Sequence, residues 1–149
     1  MKKKIIFIDL DDTIVYFTRH YLRCRHTHPE YNPYPQSRPG FFLELEPIEG
    51  AKETIIKLQD HFDVWILSRP SYKNPHCYTE KRLWLEKYYG LDFCQKLILC
   101  PDKGLVRGDY LIDDVLWKDF QGVQLQFGTG DLQTWDAVYT KLMELEKND

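Results

Sequence analysis

Residues 5 to 15 read IIFIDLDDTIV. Ile5 to Ile8 carry no charge and no turn former, which is the composition of a strand buried on both faces. Asp9, Asp11 and Asp12 follow at once, and the apolar run resumes at Thr13-Ile14-Val15. A buried strand that ends in three carboxylates directs charge to one point on the rim of a sheet.

The rest of the chain repeats the same punctuation. With Lys4 to Asp9 as the first strand, DVWILS (63 to 68) reads as a second and Lys96 to Leu99 as a short third. YLID (110 to 113) is a fourth and Val123 to Phe127 a fifth. Between them, Ala51, Ile55, Leu58 and Phe62 recur at helical spacing, which predicts a helix over about Gly50 to His61. A second helix is expected over Glu80 to Tyr89, with Gly90 as its C-cap. A last one runs from Gln133 to Glu146 and turns Trp135, Val138, Leu142 and Leu145 inward. Residues 18 to 47 break this rhythm, and YNPYPQSRPG (31 to 40) must be a loop. The order predicts an α/β, Rossmann-like fold: one open, mainly parallel sheet of about five strands with helices on both faces. One domain spans 1–149, with an insertion at about 18–47.

Composition narrows the partners. A net charge of −3 and a pI near 5.9 disfavour a general nucleic-acid binder. No apolar run approaches the ~20 residues of a membrane span. The start, MKKKIIFID, has too short an apolar run for a secretory signal, so the expected compartment is cytoplasmic. Cys24, Cys77, Cys94 and Cys100 show no CxxC spacing and are read as free thiols. Cys24, His26 and His28, with His20 nearby, match no standard zinc spacing.

In open parallel sheets ligands bind beyond the carboxyl ends of the strands. Strand one ends in Asp9, with Asp11 and Asp12 behind it. Strand two ends in Ser68, followed by Arg69, and strand four ends in Asp113 and Asp114. Lys103 precedes strand four. Carboxylates this close raise one another's pKa unless a cation intervenes. Mg²⁺ suits a few carboxylates plus a phosphate oxygen, and the cationic residues ask for an anionic substrate. Asp9 and Asp11, at i and i+2 of an extended chain, can flank one reacting centre, one as nucleophile and one as proton carrier.

FIDLDDT (7 to 13), WILS (65 to 68), Lys103 and LIDD (111 to 114) together resemble the four motifs of the haloacid dehalogenase (HAD) superfamily of phosphatases. FFLELEPIEGA (41 to 51), EKYYG (86 to 90) and DKGLVRGDYLIDD (102 to 114) are similar to the 5′(3′)-deoxyribonucleotidase family. The resemblance implies a Mg²⁺-dependent phosphomonoesterase in nucleotide metabolism that works through an aspartyl-phosphate. It implies Asp9 as nucleophile, Asp11 as acid and base, and Lys103 as the cation that offsets transition-state charge. Ser68 would bind phosphate oxygens and Phe17 would line the substrate pocket. The metal would be held by the Asp9 carboxylate, the Asp11 main-chain carbonyl and one of the acid pair. Asp114 is the choice, with Asp113 behind it or as the alternative.

Two departures from that family bear on the substrate. The cap between the first motif and FFLELEP is much reduced, which leaves base selectivity open. Arg69 stands where relatives have a small hydroxyl residue, and it can anchor phosphate bidentately. Asp12 replaces a common glycine and is assigned no chemistry. Tyr16, Phe17, Tyr21, Phe41 and Phe42 bracket the cap, either to stack on a base or to form the cap's own core. Lys73 and Lys81 could also approach the phosphate, but helix-surface lysines are usually solvated, so both are ranked behind Lys103. The expected substrate is a small phosphomonoester, a nucleoside monophosphate first. The alternatives are a sugar phosphate, a phosphorylated nucleic-acid end, a phosphoprotein, or a silent module that binds Mg²⁺ and nucleotide. A second copy of the chain could cover the aromatic cap as a homodimer.

Overall fold

A computed structural model describes residues 1–149. Five parallel strands form one sheet in the order β3-β2-β1-β4-β5. They are β1 (Ile5–Ile8), β2 (Asp63–Ser68), β3 (Leu97–Leu99), β4 (Tyr110–Asp113) and β5 (Val123–Gln126). The α-helices are α1 (Phe17–Thr27), α2 (Ala51–Leu58), α3 (Cys77–Tyr89) and α4 (Trp135–Lys147). The order reverses at β1, so the switch point of the sheet lies between β1 and β4.

The pleat sorts β1 into two faces. Ile6 and Ile8 enter the main core with Val64, Ile66 and Ile112, under the apolar stripes of α2, α3 and α4. Ala51, Ile55 and Leu58 of α2 are all buried, as their spacing requires, and so are Trp135, Val138 and Leu142 of α4. Truncating a side chain as enclosed as Ile8, 0% exposed, costs about 2–5 kcal/mol.

Phe7, Leu67 and Leu111 point to the opposite face, where Phe120, Trp117 and Val106 cover them. This face carries loops and the 3-10 turn Lys103–Leu105 where the sequence suggests helices. The reason lies in the connections. Residues 100–109 and 114–122 are too short to hold a helix and still cross between parallel strands. One of these short crossovers brings Lys103 over the end of β1.

The insertion is tied off at its base. Tyr16 N donates to Glu46 O at 2.9 Å and Ile48 N to Ile14 O at 2.7 Å. Inside it, α1 packs Phe17 against Phe41 and Phe42, whose own side chains are buried. Phe17, Tyr21, Phe41 and Phe42 thus build its core, with Phe17 and Phe42 also reaching its inner surface, while Tyr16 lies outside it and bonds to Glu49. From below, α3 holds the segment in place. The Glu80 carboxylate accepts from Gly40 N at 3.1 Å and Phe42 N at 3.2 Å, and Trp84 Nε1 donates to Leu45 O at 2.8 Å.

Candidate active site

Register alone brings the acidic motifs together. Ile8 pairs with Ile66 on one side and Ile112 on the other, so β1, β2 and β4 end on the same rim. Asp9, Ser68 and Asp113 are its last residues, and all three are buried. Lys103, 1% exposed, enters from the short crossover. Its Nζ lies 2.8 Å from Asp9 Oδ1 and 2.6 Å from Asp113 Oδ2. Asp102 fixes the turn that carries it, its side chain accepting from Gly104 N at 2.9 Å.

The electrostatics follow from burial and pairing. Burial pushes the Asp9 carboxyl up, against the pull of the Lys103 ammonium. Burial alone would lower Lys103, but Asp9 and Asp113 outweigh it and hold the ammonium above its ordinary value. At Asp113 burial is again the largest influence, yet Lys103 and the hydrogen bonds hold that carboxyl below the usual range. Asp114 has no such partner set, and burial with the adjacent Asp113 pushes it up to about 7. One carboxylate oxygen each from Asp9, Asp113 and Asp114 lie within 4.8 Å of one another. A trio in which one member resists ionisation is a donor set short of positive charge. All-oxygen donors of this kind fit a hard divalent cation.

Asp11 sits across from Asp9. Its Oδ2 accepts from Lys81 Nζ at 3.0 Å, while its Oδ1 is buried without a hydrogen-bond partner. Ser68 Oγ also meets Lys81 Nζ. The reading of Lys81 as a solvated helix lysine is therefore corrected: it is 2% exposed and faces the site. Its position was readable, because Cys77, Lys81, Trp84 and Leu85 share one helical face and are all buried. Arg69 is exposed and pairs with no carboxylate. Phe17 is half-buried.

Two recesses of about 360 and 330 Å³ open on this rim and share Asp11, Phe17 and Arg69. The first is walled by Tyr34, Phe42 and Tyr72, with Gln36 and Lys73 at its edge. The second holds Asp9, Lys103, Asp113, Asp114 and Trp117. Trp117 does not stand out in the sequence. It lies in an aperiodic loop and meets Asp113 only through the fold. Asp12 has φ 58° and caps α1, accepting from Thr18 N at 2.9 Å.

A family model for 5′ nucleotidase, deoxy (pyrimidine), cytosolic type C proteins matches residues 26–131. The chain belongs to this family. A Vibrio phage KVP40 protein assigned as a 5′(3′)-deoxyribonucleotidase is 35% identical over 150 residues, covering 97% of this chain and 88% of its own. The human cytosolic 5′(3′)-deoxyribonucleotidase is 46% identical over 78 residues, 51% of this chain and 39% of the human one. That match spans well under half of the human relative and about half of this chain. Among solved structures, a haloacid dehalogenase-like hydrolase of Xanthomonas campestris superposes with TM-score 0.69 at 9% identity, over 98% of this chain and 93% of the other. A HAD-hydrolase of Bacillus subtilis, determined bound to magnesium, gives 0.55 at 13% identity, over 95% and 99%. The fold of this 5′ nucleotidase family member is thus HAD-like, and the family places it among the phosphoric monoester hydrolases. None of its helices is long and apolar enough to cross a membrane.

Proposed function

We propose that this chain is a Mg²⁺-dependent phosphomonoesterase acting on nucleoside monophosphates through an aspartyl-phosphate on Asp9. The observation that carries the reading is the juxtaposition of Asp9, Lys103 and Asp113 in one buried cluster, with Asp11 beside it on a shared recess.

The Asp9 carboxylate attacks phosphorus, forming a new P–O bond as the bond to the leaving oxygen breaks. Asp11 supplies the proton that the leaving oxygen takes. Water then attacks the aspartyl-phosphate, Asp11 takes back a proton, and phosphate departs with Asp9 restored. Lys103 stays within reach of Asp9 throughout and offsets charge where it develops. Arg69, unpaired at the mouth, is available to a phosphoryl oxygen. The Ser68 hydroxyl is the second anchor.

The cation would be held by Asp9 and Asp114, with the Asp11 main-chain carbonyl as the further ligand that the family resemblance implies. Asp113 is the weaker choice because its oxygens are already engaged. Oδ2 accepts from Lys103 and Trp117 Nε1, and Oδ1 from Val115 N at 3.2 Å. When bound, Mg²⁺ neutralises charge on the phosphoryl group.

The substrate reading rests on family membership and on the 360 Å³ recess. Its size falls at the small end of the ~300–1,000 Å³ usual for ligand sites. Aromatic walls of Phe17, Tyr34 and Phe42 suit a flat ring. The reduced insertion, closed by residues 16 to 48, also leaves the rim open to larger phosphoesters. The test is phosphate release from ribo- and deoxyribonucleoside monophosphates, a sugar phosphate, a 5′-phosphorylated oligonucleotide and a phosphopeptide, in Mg²⁺ and in EDTA. The expected result is fastest turnover of a nucleoside monophosphate, lost in EDTA. A strong preference for a polymer would replace the substrate class, and tight nucleotide binding without turnover would replace the enzyme with a binding module.

A further inference from the structure

Lys81 occupies a place that a phosphate-binding cation does not need. Its ammonium is buried, and its hydrogens are met by Asp11 Oδ2 at 3.0 Å, the Arg69 carbonyl at 2.9 Å and Ser68 Oγ. The Phe42 ring lies 5.2 Å from the ammonium. With three acceptors for three N–H bonds, the group has no donor left for a substrate.

Two consequences follow from donor and acceptor counting. An ammonium only donates, so Ser68 Oγ accepts from it and keeps its own hydrogen free for another partner. At Asp11, Oδ2 is committed while Oδ1 is buried with no partner. With Oδ2 tied to Lys81 and Oδ1 enclosed, the Asp11 carboxylate is held in one orientation. The Asp11 side chain is 27% exposed and lines both recesses, while its Oδ1 stays enclosed.

We infer that Lys81 is a positioning residue that fixes the Asp11 carboxylate beside the recesses for proton exchange, and that turns the Ser68 hydroxyl hydrogen toward the phosphoryl group. The inference rests on the phosphomonoesterase reading above. The Asp11 carboxyl gives its proton to the departing alkoxide as the P–O bond breaks and Asp9 becomes phosphorylated. Water later returns a proton to Asp11 as its own oxygen bonds to phosphorus and the bond from Asp9 to phosphorus breaks. Lys81 gains and loses nothing.

Leaving-group dependence separates this role from a structural one. A nucleoside leaves as a poor alkoxide and needs the proton. p-Nitrophenolate leaves without it. Because kcat/KM reports only events up to release of the first product, the comparison is confined to the step in which the proton is given. Lys81→Met is expected to lower kcat/KM for the best nucleoside monophosphate by about 10²-fold. For p-nitrophenyl phosphate the loss stays below about tenfold, a pattern shared with Asp11→Asn and expected of losing proton transfer alone. Lys81→Arg, which restores charge and donors, recovers most of the ratio between the two substrates. If Lys81→Met does not fold, Lys81→Gln carries the same comparison. An equal loss on both substrates, with their ratio unchanged, overturns the inference and leaves the phosphomonoesterase standing. A wild-type protein that turns over neither substrate overturns the phosphomonoesterase reading first, and the inference with it.

Discussion

The Trp117 indole N–H donates to Asp113 Oδ2 at 3.0 Å, the same oxygen that accepts from Lys103. A loop residue thus finishes the solvation of a buried acid. Its own backbone is fixed in turn, with Trp117 N donating to Gln124 Oε1 at 2.7 Å and Gln124 Nε2 to Trp117 O at 2.8 Å. Partners of this kind orient acids around a metal, and losing one commonly weakens metal binding by 10–100-fold, taken here as about tenfold. Trp117→Phe should raise the Mg²⁺ concentration for half-maximal activity by about that factor. Activity measured across a magnesium titration checks this, and an unchanged midpoint would show that the hydrogen bond does not orient the acid.

The two acids of the pair should separate in a melting experiment. Asp114 lacks a firm cation partner, while Asp113 holds Lys103, Trp117 and Val115. Asp114→Asn should abolish most of the rise in melting temperature that Mg²⁺ gives by binding the folded state. Asp113→Asn should instead lower the melting temperature in EDTA, because Lys103 loses a buried counter-charge, a loss worth about 3–5 kcal/mol at the upper end. The reverse pattern would exchange their roles.

Asp12 meets two demands with one side chain. Its φ of 58° is the left-handed region, and its carboxylate caps α1 through Thr18 N and Thr18 Oγ1. Glycine would relieve the backbone and lose the cap. Alanine would lose the cap and keep the backbone cost, about 1–2 kcal/mol per residue. In urea denaturation Asp12→Ala should therefore be less stable than Asp12→Gly by about 1 kcal/mol. Equal stabilities would mean that the turn opens when the cap is removed.

His20 makes the insertion sensitive to acid. It is buried, with its ring 4.7 Å from that of Phe41 and Nε2 3.4 Å from Glu44 Oε2. Burial holds its pKa below the ordinary value. Arg38 and Arg23 add to that, and Glu44 and Glu46 oppose it. The unfolded chain therefore binds the proton first as pH falls. The stability His20 contributes is complete above its unfolded pKa of about 6.5 and is lost as pH drops through the lower folded value. Melting temperatures between pH 7.5 and 5 should fall less steeply in His20→Gln than in the wild type. A slope unchanged by the substitution would assign the acid sensitivity to other groups.

Much of this architecture is legible before any coordinates. DVWILS and YLID become β2 and β4 at the residues their apolar runs mark, and the acids after them fall on the rim. The insertion was harder to read, because α1 buries only His20 and Cys24 and so shows no apolar stripe. Helix α3 begins at Cys77, ahead of the expected Glu80, with no side-chain cap to announce its start. Lys81 could have been found by asking why a lysine shares a face with Cys77, Trp84 and Leu85. Trp117 could not, because its contact with Asp113 depends on how a loop folds back. Helices on the second face were a matter of chain length, since the crossovers after β3 and β4 have no room for them.

The central claim is that Asp9 forms a bond to phosphorus. The most direct measurement is phosphate release from the best nucleoside monophosphate at saturating Mg²⁺, for the wild type and for Asp9→Asn folded to the same melting profile. The account predicts that Asp9→Asn falls to background while the wild type turns over. Turnover retained by Asp9→Asn at a rate near the wild type would contradict it, because no covalent intermediate could then pass through that residue.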